Sequence, residues 1–87
     1  NLSQANLNNA KLSVAKLNGT NFAKANLNEA NLNVANLTLS DFSDATLIKA
    51  ELIKAELMRA ELSGANLKGA NLSSADLRDA KTALRQT

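Results

Sequence analysis

The sequence contains no cysteine, histidine, proline, tryptophan or tyrosine. Without cysteine, the chain can form neither a disulfide framework nor a thiolate metal site. Without histidine as well, it cannot build a Ser-His-Asp triad, a Cys-His pair or a histidine-ligated zinc centre. These absences argue against the commonest catalytic constellations.

The chain also lacks a strong charge of one sign and a long apolar segment. Ten basic and eight acidic residues leave a net charge of +2, too small to favour binding to nucleic acid or an anionic membrane. No apolar run approaches the roughly 20 residues that a membrane span needs, and no segment has the pattern of a signal peptide. The 87 residues suffice for one domain. Because the first residue is not methionine and the repeat described next starts at once, we expect the chain to be part of a longer protein.

What the sequence has in abundance is a repeat of five residues. Leu or Phe occupies every fifth position from Leu2 to Leu77, as 14 leucines plus Phe22 and Phe42. A small residue, nearly always alanine, follows three positions later, and a polar residue, most often asparagine, precedes each Leu or Phe. The unit A-[N/D/E/K]-[L/F]-x-x is thus repeated 16 times without an insertion, and its last two residues are the first and second x positions. Such a regular period indicates a solenoid.

A period of five matches neither an α-helix nor a flat strand. On a helix, five residues advance by about 500°, so successive leucines would scatter around the axis. On a strand, an odd period would send successive leucines to opposite faces. The segment 47–62, LIKAELIKAELMRAEL, is rich in helix formers, but its apolar residues would cover the whole circumference of a helix. The pattern is satisfied if the chain turns a corner in every unit, because each Leu then points to a common interior.

The exceptions to the repeat indicate how many units make one coil. Phe22 and Phe42 are 20 residues apart, and so are Val14 and Val34 at the second x position. A coil of four units would place such residues one above the other, at the roughly 4.8 Å spacing of paired strands, and we expect the two phenylalanines to stack. Opposite charges recur at this spacing in Lys24 with Asp44, Glu29 with Lys49 and Arg59 with Asp79. Like charges in Asp41 with Glu61 and Glu56 with Asp76 argue against it. On balance, the sequence predicts four coils of 20 residues over residues 1–80.

The repeat resembles that of the pentapeptide-repeat family, whose consensus is A-[D/N]-L-x-x, over residues 1–80. The resemblance implies an all-β fold, a right-handed quadrilateral β-helix with the Leu, Phe and small residues inward, and a kinship with cyanobacterial proteins. Lys11, Lys16, Glu51, Glu56 and Glu61 depart from the consensus, but at a position that borders solvent. An asparagine at this position is expected to bond backbone groups at the turn, the alternative being that it merely faces water. The predicted core comprises Leu2, Leu7, Leu12, Leu17, Phe22, Leu27, Leu32, Leu37, Phe42, Leu47, Leu52, Leu57, Leu62, Leu67, Leu72 and Leu77.

The last seven residues leave the repeat. Thr82 stands where the next Leu is due. Residues 81–87 are therefore predicted to form a C-terminal tail or a partial cap, with Leu84 folding over the last coil. The sequence thus predicts one repeat domain over residues 1–80 followed by this tail.

Few residues are candidates for chemistry. Glu51, Glu56 and Glu61 resemble a carboxylate cluster, but steps of five place them on successive sides of a coil, where they should not converge as general acid and base. A basic residue precedes each of them by two positions, which is typical of a mixed surface charge. The glycines form no phosphate-binding loop and sit at second x positions, where the chain is expected to round a corner. We therefore predict no catalytic residue, no metal site and no cofactor.

One surface feature stands out, because several x positions that should be polar carry apolar residues. On a 20-residue coil, Val14 and Val34 stack on the third side with Ile53 beside them, and Leu39 and Met58 lie on the fourth side. Neighbouring apolar surface residues can mark an interface. The alternative is that they favour extended backbone and cover their neighbours. These five residues are the candidate interface.

The sequence favours a non-catalytic structural or protein–protein interaction module. Its partner is predicted to be a protein, and the chain could also associate with itself, end-on through an open coil or laterally through the candidate interface. The resemblance offers an alternative, since some pentapeptide-repeat proteins are acidic rods that mimic DNA and bind topoisomerases. The net charge of +2 disfavours that alternative. The sequence also disfavours direct binding to nucleic acid, because it has no basic stripe and no stacking aromatic residues.

Overall fold

The computed structural model describes residues 1–83, which wind into a stack of coils. These residues form no helix and no strand longer than a single residue. Instead, from Asn6 to Lys81, isolated parallel bridges join the polar repeat positions that lie 20 residues apart. Asn6 bridges Asn26, for example, and Asn26 in turn bridges Thr46. The prediction of a 20-residue coil is thereby confirmed. The coils are residues 1–20, 21–40, 41–60 and 61–80, and each has four sides of five residues, numbered in chain order.

A tight turn at every unit makes the corners. The N–H of each small residue donates to the carbonyl of the Leu or Phe three positions earlier, at 2.9–3.2 Å. All 16 second x positions have positive φ, between 57° and 74°. This is the third position of a type II β-turn, which requires positive φ. Only three of the 16 are glycines, so most corners hold an ordinary residue in the left-handed region.

Successive coils are joined by three backbone hydrogen bonds per unit. On the second side, the Leu27 N–H donates to the Thr46 carbonyl at 2.7 Å and the Glu29 N–H to the Ile48 carbonyl at 2.8 Å. The Asn26 N–H donates in the opposite direction along the stack, to the Ala5 carbonyl at 2.9 Å. The pattern recurs on all four sides, so the backbone is satisfied from coil to coil without long strands.

The core lies inside the stack and is formed by the Leu, Phe and small residues. The rings of Phe22 and Phe42 stack with centroids 4.8 Å apart and planes 6° apart, as predicted. Ser40 replaces an alanine and is buried, and its hydroxyl donates to the Leu37 carbonyl at 2.6 Å, so no buried polar atom is left unpaired there. The fully enclosed large side chains are Phe22, Leu27, Leu32, Leu37, Phe42, Leu47, Leu52, Leu57 and Leu62.

The two ends of the stack differ from this enclosed middle. Leu2 and Leu77, which belong to the predicted core, are each 36% exposed, because no described coil covers their outer side. Leu7, Leu12, Leu17, Leu67 and Leu72 are partly buried against the core. Lys81 begins another pass along the first side, where it bridges Glu61. The predicted cap residue Leu84 lies outside the described residues.

Candidate interaction surface

Most asparagines at the polar repeat position accept a hydrogen bond from the backbone of the following turn, so their side-chain oxygens are already engaged within the chain. The Oδ1 atom of Asn26, for example, accepts the N–H of Asn28, two residues later, at 3.0 Å. The same local bond holds the turn that follows Asn1, Asn6, Asn21, Asn31, Asn36, Asp41, Asn66, Asn71 and Asp76. Their repetition along the chain is therefore explained by the backbone.

Two asparagines at first x positions have a role that the sequence did not suggest. Thr46 and Glu51 occupy the polar repeat position that is usually asparagine. Unlike those asparagines, neither side chain accepts the backbone N–H of the residue two positions later. The N–H of Ile48 instead donates to Asn28 at 2.9 Å, and that of Ile53 to Asn33 at 2.8 Å, both in the coil before. Only the 20-residue alignment could have revealed this, since it places these asparagines beside the corners that lack a local acceptor.

The structure divides the candidate interface into an exposed part and a half-buried part. Val14, Val34 and Leu39 occupy second x positions and are 68%, 50% and 60% exposed. Ile53 and Met58 occupy first x positions and are half-buried. Val14 and Val34 share one column on the third side, and Leu39 lies on the neighbouring fourth side. The three exposed residues are called the apolar corner set below.

The apolar corner set combines exposure with an unfavourable backbone. The φ angles of Val14, Val34 and Leu39 are +63°, +62° and +62°. This left-handed region is uncommon for any residue except glycine, asparagine and aspartate, and for a β-branched residue such as valine it is a genuine outlier. The valines thus expose apolar surface at positions where asparagine or glycine would fit with less strain.

Leu39 lies at the edge of a depression on the described surface. Thr38, Met58, Arg59, Arg78 and Asp79 complete its lining. Arg78 lines it too, donating to the Met58 sulfur at 3.2 Å and pairing with Asp76 at 2.7 Å. Hydrogen bonds from the Arg78 side chain and backbone lower the pKa of Asp76, and the same carboxylate raises the pKa of Arg78. The depression is open and carries none of the carboxylates considered as acid or base.

Those carboxylates remain apart. Glu51, Glu56 and Glu61 bridge residues on the third, fourth and first sides respectively. Glu51 accepts a hydrogen bond from the Asn33 amide at 2.9 Å, and Glu61 pairs with Lys81 at 3.7 Å. Within residues 1–83, no three acidic side chains come close enough together to hold a metal ion.

The opposite charges at second x positions stack without forming ion pairs. Lys24 lies in the same column as Asp44, as the 20-residue coil predicts. The ion pairs of the described residues are instead Arg78 with Asp76 and Lys81 with Glu61. The opposite charges 20 residues apart therefore indicated the length of the coil correctly, although they do not form ion pairs with each other.

Comparison with known proteins decides the family. A model of pentapeptide repeats matches eight copies over residues 1–38 and 40–79. The chain belongs to the pentapeptide-repeat family. Members of this family form right-handed quadrilateral β-helices and are generally non-enzymatic structural modules. No curated protein matches the sequence significantly.

Solved structures of pentapeptide-repeat proteins resemble the chain closely. Rfr23 from the cyanobacterium Cyanothece 51142 is 33% identical, with a TM-score of 0.91 over 95% of this chain. The protein alr5209 from Nostoc PCC 7120 is 32% identical, with a TM-score of 0.85 over 98% of this chain and 83% of its own. A pentapeptide-repeat protein of the Arabidopsis thaliana thylakoid lumen is 26% identical, with a TM-score of 0.55 over 83% of this chain. The chain spans 58% of the length of Rfr23 and 54% of the Arabidopsis protein.

The described part of the chain offers no helix for crossing a bilayer.

Proposed function

We propose that this chain is a non-catalytic rod that binds another protein through the apolar corner set. The family's right-handed quadrilateral β-helix is the architecture that we infer for the rod, supported by the TM-score of 0.91 with Rfr23. Such a rod presents flat sides and corners in place of a deep pocket. Its partner is therefore bound on the outside of the coil.

One observation carries the proposal. Val14 and Val34 place exposed apolar side chains on a backbone that disfavours valine, and the core gains nothing from them. A strained position that brings no packing within the monomer is best explained by a contact outside it. Leu39 adds a third apolar side chain on the next side, at the depression that Arg78 also lines. A partner with an apolar ridge would bury these side chains.

Asparagine substitutions separate binding from folding. Val34→Asn with Leu39→Asn removes the apolar surface and places a residue that tolerates positive φ, so the rod should keep or gain stability. The matched control is Lys24→Asn with Glu29→Asn, at the same repeat position on the first and second sides. Photo-crosslinkers placed at Asn9 and Val14 of each variant report the contact.

The expected result is a protein adduct at position 14 in the wild type and in the control, and its loss from the Val34/Leu39 variant. The adduct at position 9, on the second side, should be weak throughout. An adduct that survives the Val34/Leu39 change while the rod stays folded would overturn the proposal. Equal labelling at positions 9 and 14 would do the same.

A further inference from the structure

The fourth side of the stack has exposed apolar residues at both of its corners. Val34 occupies the turn that leads into this side, and Leu39 occupies the turn that ends it. In the second coil, the surface between these two corners carries Asn36 and Thr38, neither of which is charged. The second coil therefore presents an uncharged band that is bordered by two apolar side chains.

The charges of the fourth side are arranged symmetrically about this band. At the polar repeat position, the column runs from Lys16 in the first coil through Asn36 in the second to Glu56 in the third. Each step is one coil, or roughly 4.8 Å, so the basic and the acidic residue lie equally far from Asn36 along the stack. When two such columns face each other in opposite directions, each lysine lies opposite a glutamate. The column is thus complementary to its own reverse.

Both charges are available for such a contact. Lys16 and Glu56 are exposed. Within residues 1–83, neither side chain takes part in an ion pair or a hydrogen bond, since the ion pairs there are Arg78 with Asp76 and Lys81 with Glu61. The charge pattern of the fourth side is therefore not explained by contacts within the described chain.

The third side has the same order of charges but is less suited to facing a copy of itself. Its column runs from Lys11 through Asn31 to Glu51. Glu51 already accepts a hydrogen bond from the Asn33 amide at 2.9 Å. At the turn that leads into the third side, Glu29 occupies the second coil, so the reversed arrangement would bring two like charges together. The polar columns of the first and second sides have no basic residue within residues 1–80.

We propose that the fourth side docks on the fourth side of a second copy of this chain, with the two stacks antiparallel and a two-fold axis at the second coil. This inference rests on the proposed function, because it names the partner that covers the apolar corner set. The axis sets Val34 against Val34 and Leu39 against Leu39 of the second copy. It also sets Lys16 of each copy opposite Glu56 of the other. Because both copies use the same surface, the contact is isologous and closes as a dimer.

The other side chains of this face also fit the arrangement. Val14 comes to lie opposite Lys54 of the second copy, whose aliphatic stem can cover the valine while its ammonium reaches water. Arg59 comes to lie opposite Gly19, and the space beside this glycine is open. Burial of the apolar corners drives the association, whereas the exposed charges mainly select its direction.

The register follows from the same residues. Sliding one copy by a single coil sets either Val34 opposite Lys54 or Lys16 opposite Asn36. The first shift loses the apolar contacts, and the second loses the charge pairs. Only the axis at the second coil keeps both.

Charge reversal tests the surface and the direction of docking together. Lys16→Glu or Glu56→Lys brings like charges together at both contacts, so each should weaken the dimer roughly tenfold or more. The double variant restores opposite charges and should associate like the wild type. Within one chain, these residues lie two coils apart, at roughly 10 Å, so the rescue reports contact between copies. The matched control is Lys11→Glu, at the same repeat position and in the same coil on the third side, which should leave association unchanged.

A cysteine near the axis gives an independent readout. The chain has no cysteine, so Thr38→Cys introduces a single thiol at the first x position of the second coil on the fourth side. A short bifunctional maleimide should link this thiol to its counterpart in the second copy. The control is Ala23→Cys, which is half-buried like Thr38 and has the same repeat position in the same coil on the first side, and it should give little linked dimer.

Sedimentation velocity of the purified chain from micromolar to millimolar concentration measures association, and circular dichroism measures folding. The wild type should form a dimer as its concentration rises. A wild type that stays monomeric throughout would overturn this inference, whereas an adduct of position 14 with a different protein would then still support the proposed function. Folded charge variants that dimerise like the wild type, or a folded double variant that stays as dissociated as the single ones, would also overturn it. If a charge variant does not fold, the cysteine pair decides, and equal linking at positions 38 and 23 would count against the dimer.

Discussion

The middle coils and the end coils share one repeat but differ in how much of it they bury. In residues 21–60, every Leu and Phe of the repeat is at most 1% exposed. In the first coil, the same position is partly open at Leu7, Leu12 and Leu17 and is 36% exposed at Leu2. Burial is therefore a property of the neighbours above and below, and not of the unit itself.

This difference is the expected behaviour of a one-dimensional repeat. Each unit gains its stability from contacts with adjacent coils, so an internal coil has two interfaces and an end coil has one. The ends should open first in hydrogen exchange, and the middle should open only with the whole rod. Equivalent substitutions at the two places offer a direct way to break or sharpen the comparison.

The largest expected effect comes from a charge in the middle of the core. Leu52 is 1% exposed, so Leu52→Asp buries an unpaired carboxylate and should cost more than about 4 kcal/mol, enough to unfold the rod. Leu2→Asp, at the same repeat position in the first coil, can turn toward solvent and should cost about 1–2 kcal/mol. Urea unfolding followed by circular dichroism measures both.

A neighbour of Leu52 provides the control for the register. Ile53 lies at the first x position and is half-buried, so Ile53→Asp should leave the chain folded. If Ile53→Asp were more damaging than Leu52→Asp in the monomer, the assignment of inward and outward positions would be wrong. If Leu2→Asp were as damaging as Leu52→Asp, the end coil would be as tightly packed as the middle.

A moderate effect is expected from the asparagine that serves the next coil. Asn33 accepts the Ile53 N–H and donates to Glu51, whereas the side chain of Asn8, at the first x position of the first coil, makes no hydrogen bond within the described residues. Asn33→Ala should therefore lower the free energy of unfolding by about 1–2 kcal/mol. Asn8→Ala should change it by less than about 0.5 kcal/mol.

The mechanism behind that loss can be tested by restoring the local acceptor. Glu51→Asn places an asparagine two residues before Ile53, where it can accept the N–H that Asn33 now accepts. In this background, Asn33→Ala should cost much less than in the wild type, as a double-mutant cycle in urea would measure. An unchanged cost would mean that Asn33 stabilises the fold by another route.

A smaller effect distinguishes two glycines with the same backbone. Gly19 and Gly64 have φ of +72° and +74°, so alanine at either should cost about 1 kcal/mol through the backbone alone. A Cβ at Gly19, in the first coil, meets nothing, whereas one at Gly64 meets the carboxylate of Asp44 from the coil before. Gly64→Ala should therefore lower the thermal midpoint further than Gly19→Ala, and Asp44→Ala should remove the difference. If the two alanine variants lowered the thermal midpoint equally in the wild-type background, the Asp44 side chain would have moved aside without a measurable cost.

The sequence predicted the architecture well because its period is unbroken and its exceptions recur at 20 residues. Phe22 and Phe42 were enough to align the coils, and their stacking follows from that alignment. The strained corners could not be foreseen at Val14 and Val34, because valine gives no local signal for positive φ and only the turn imposes it. The hydrogen bonds that Asn28 and Asn33 accept from Ile48 and Ile53 could not be predicted for a different reason. They depend on which turns of the following coil lack a local side-chain acceptor. The outer coils were predicted as core because periodicity alone does not distinguish an end from a middle.

The smallest expected effect is a pH dependence confined to the last coil. Hydrogen bonds from Arg78 lower the pKa of Asp76 in the folded chain below its ordinary value near 3.8. Its carboxylate therefore stabilises the fold above that value, and the contribution is lost as the pH falls through the lowered pKa. Arg78 is 75% exposed and Asp76 31% exposed, so solvent screens the pair and the effect should be slight. Asp76→Asn and Arg78→Gln should each flatten the fall of the thermal midpoint below about pH 4 by a similar small amount. A fall that is as steep in both variants as in the wild type would show that the acid sensitivity of the rod arises elsewhere in the stack.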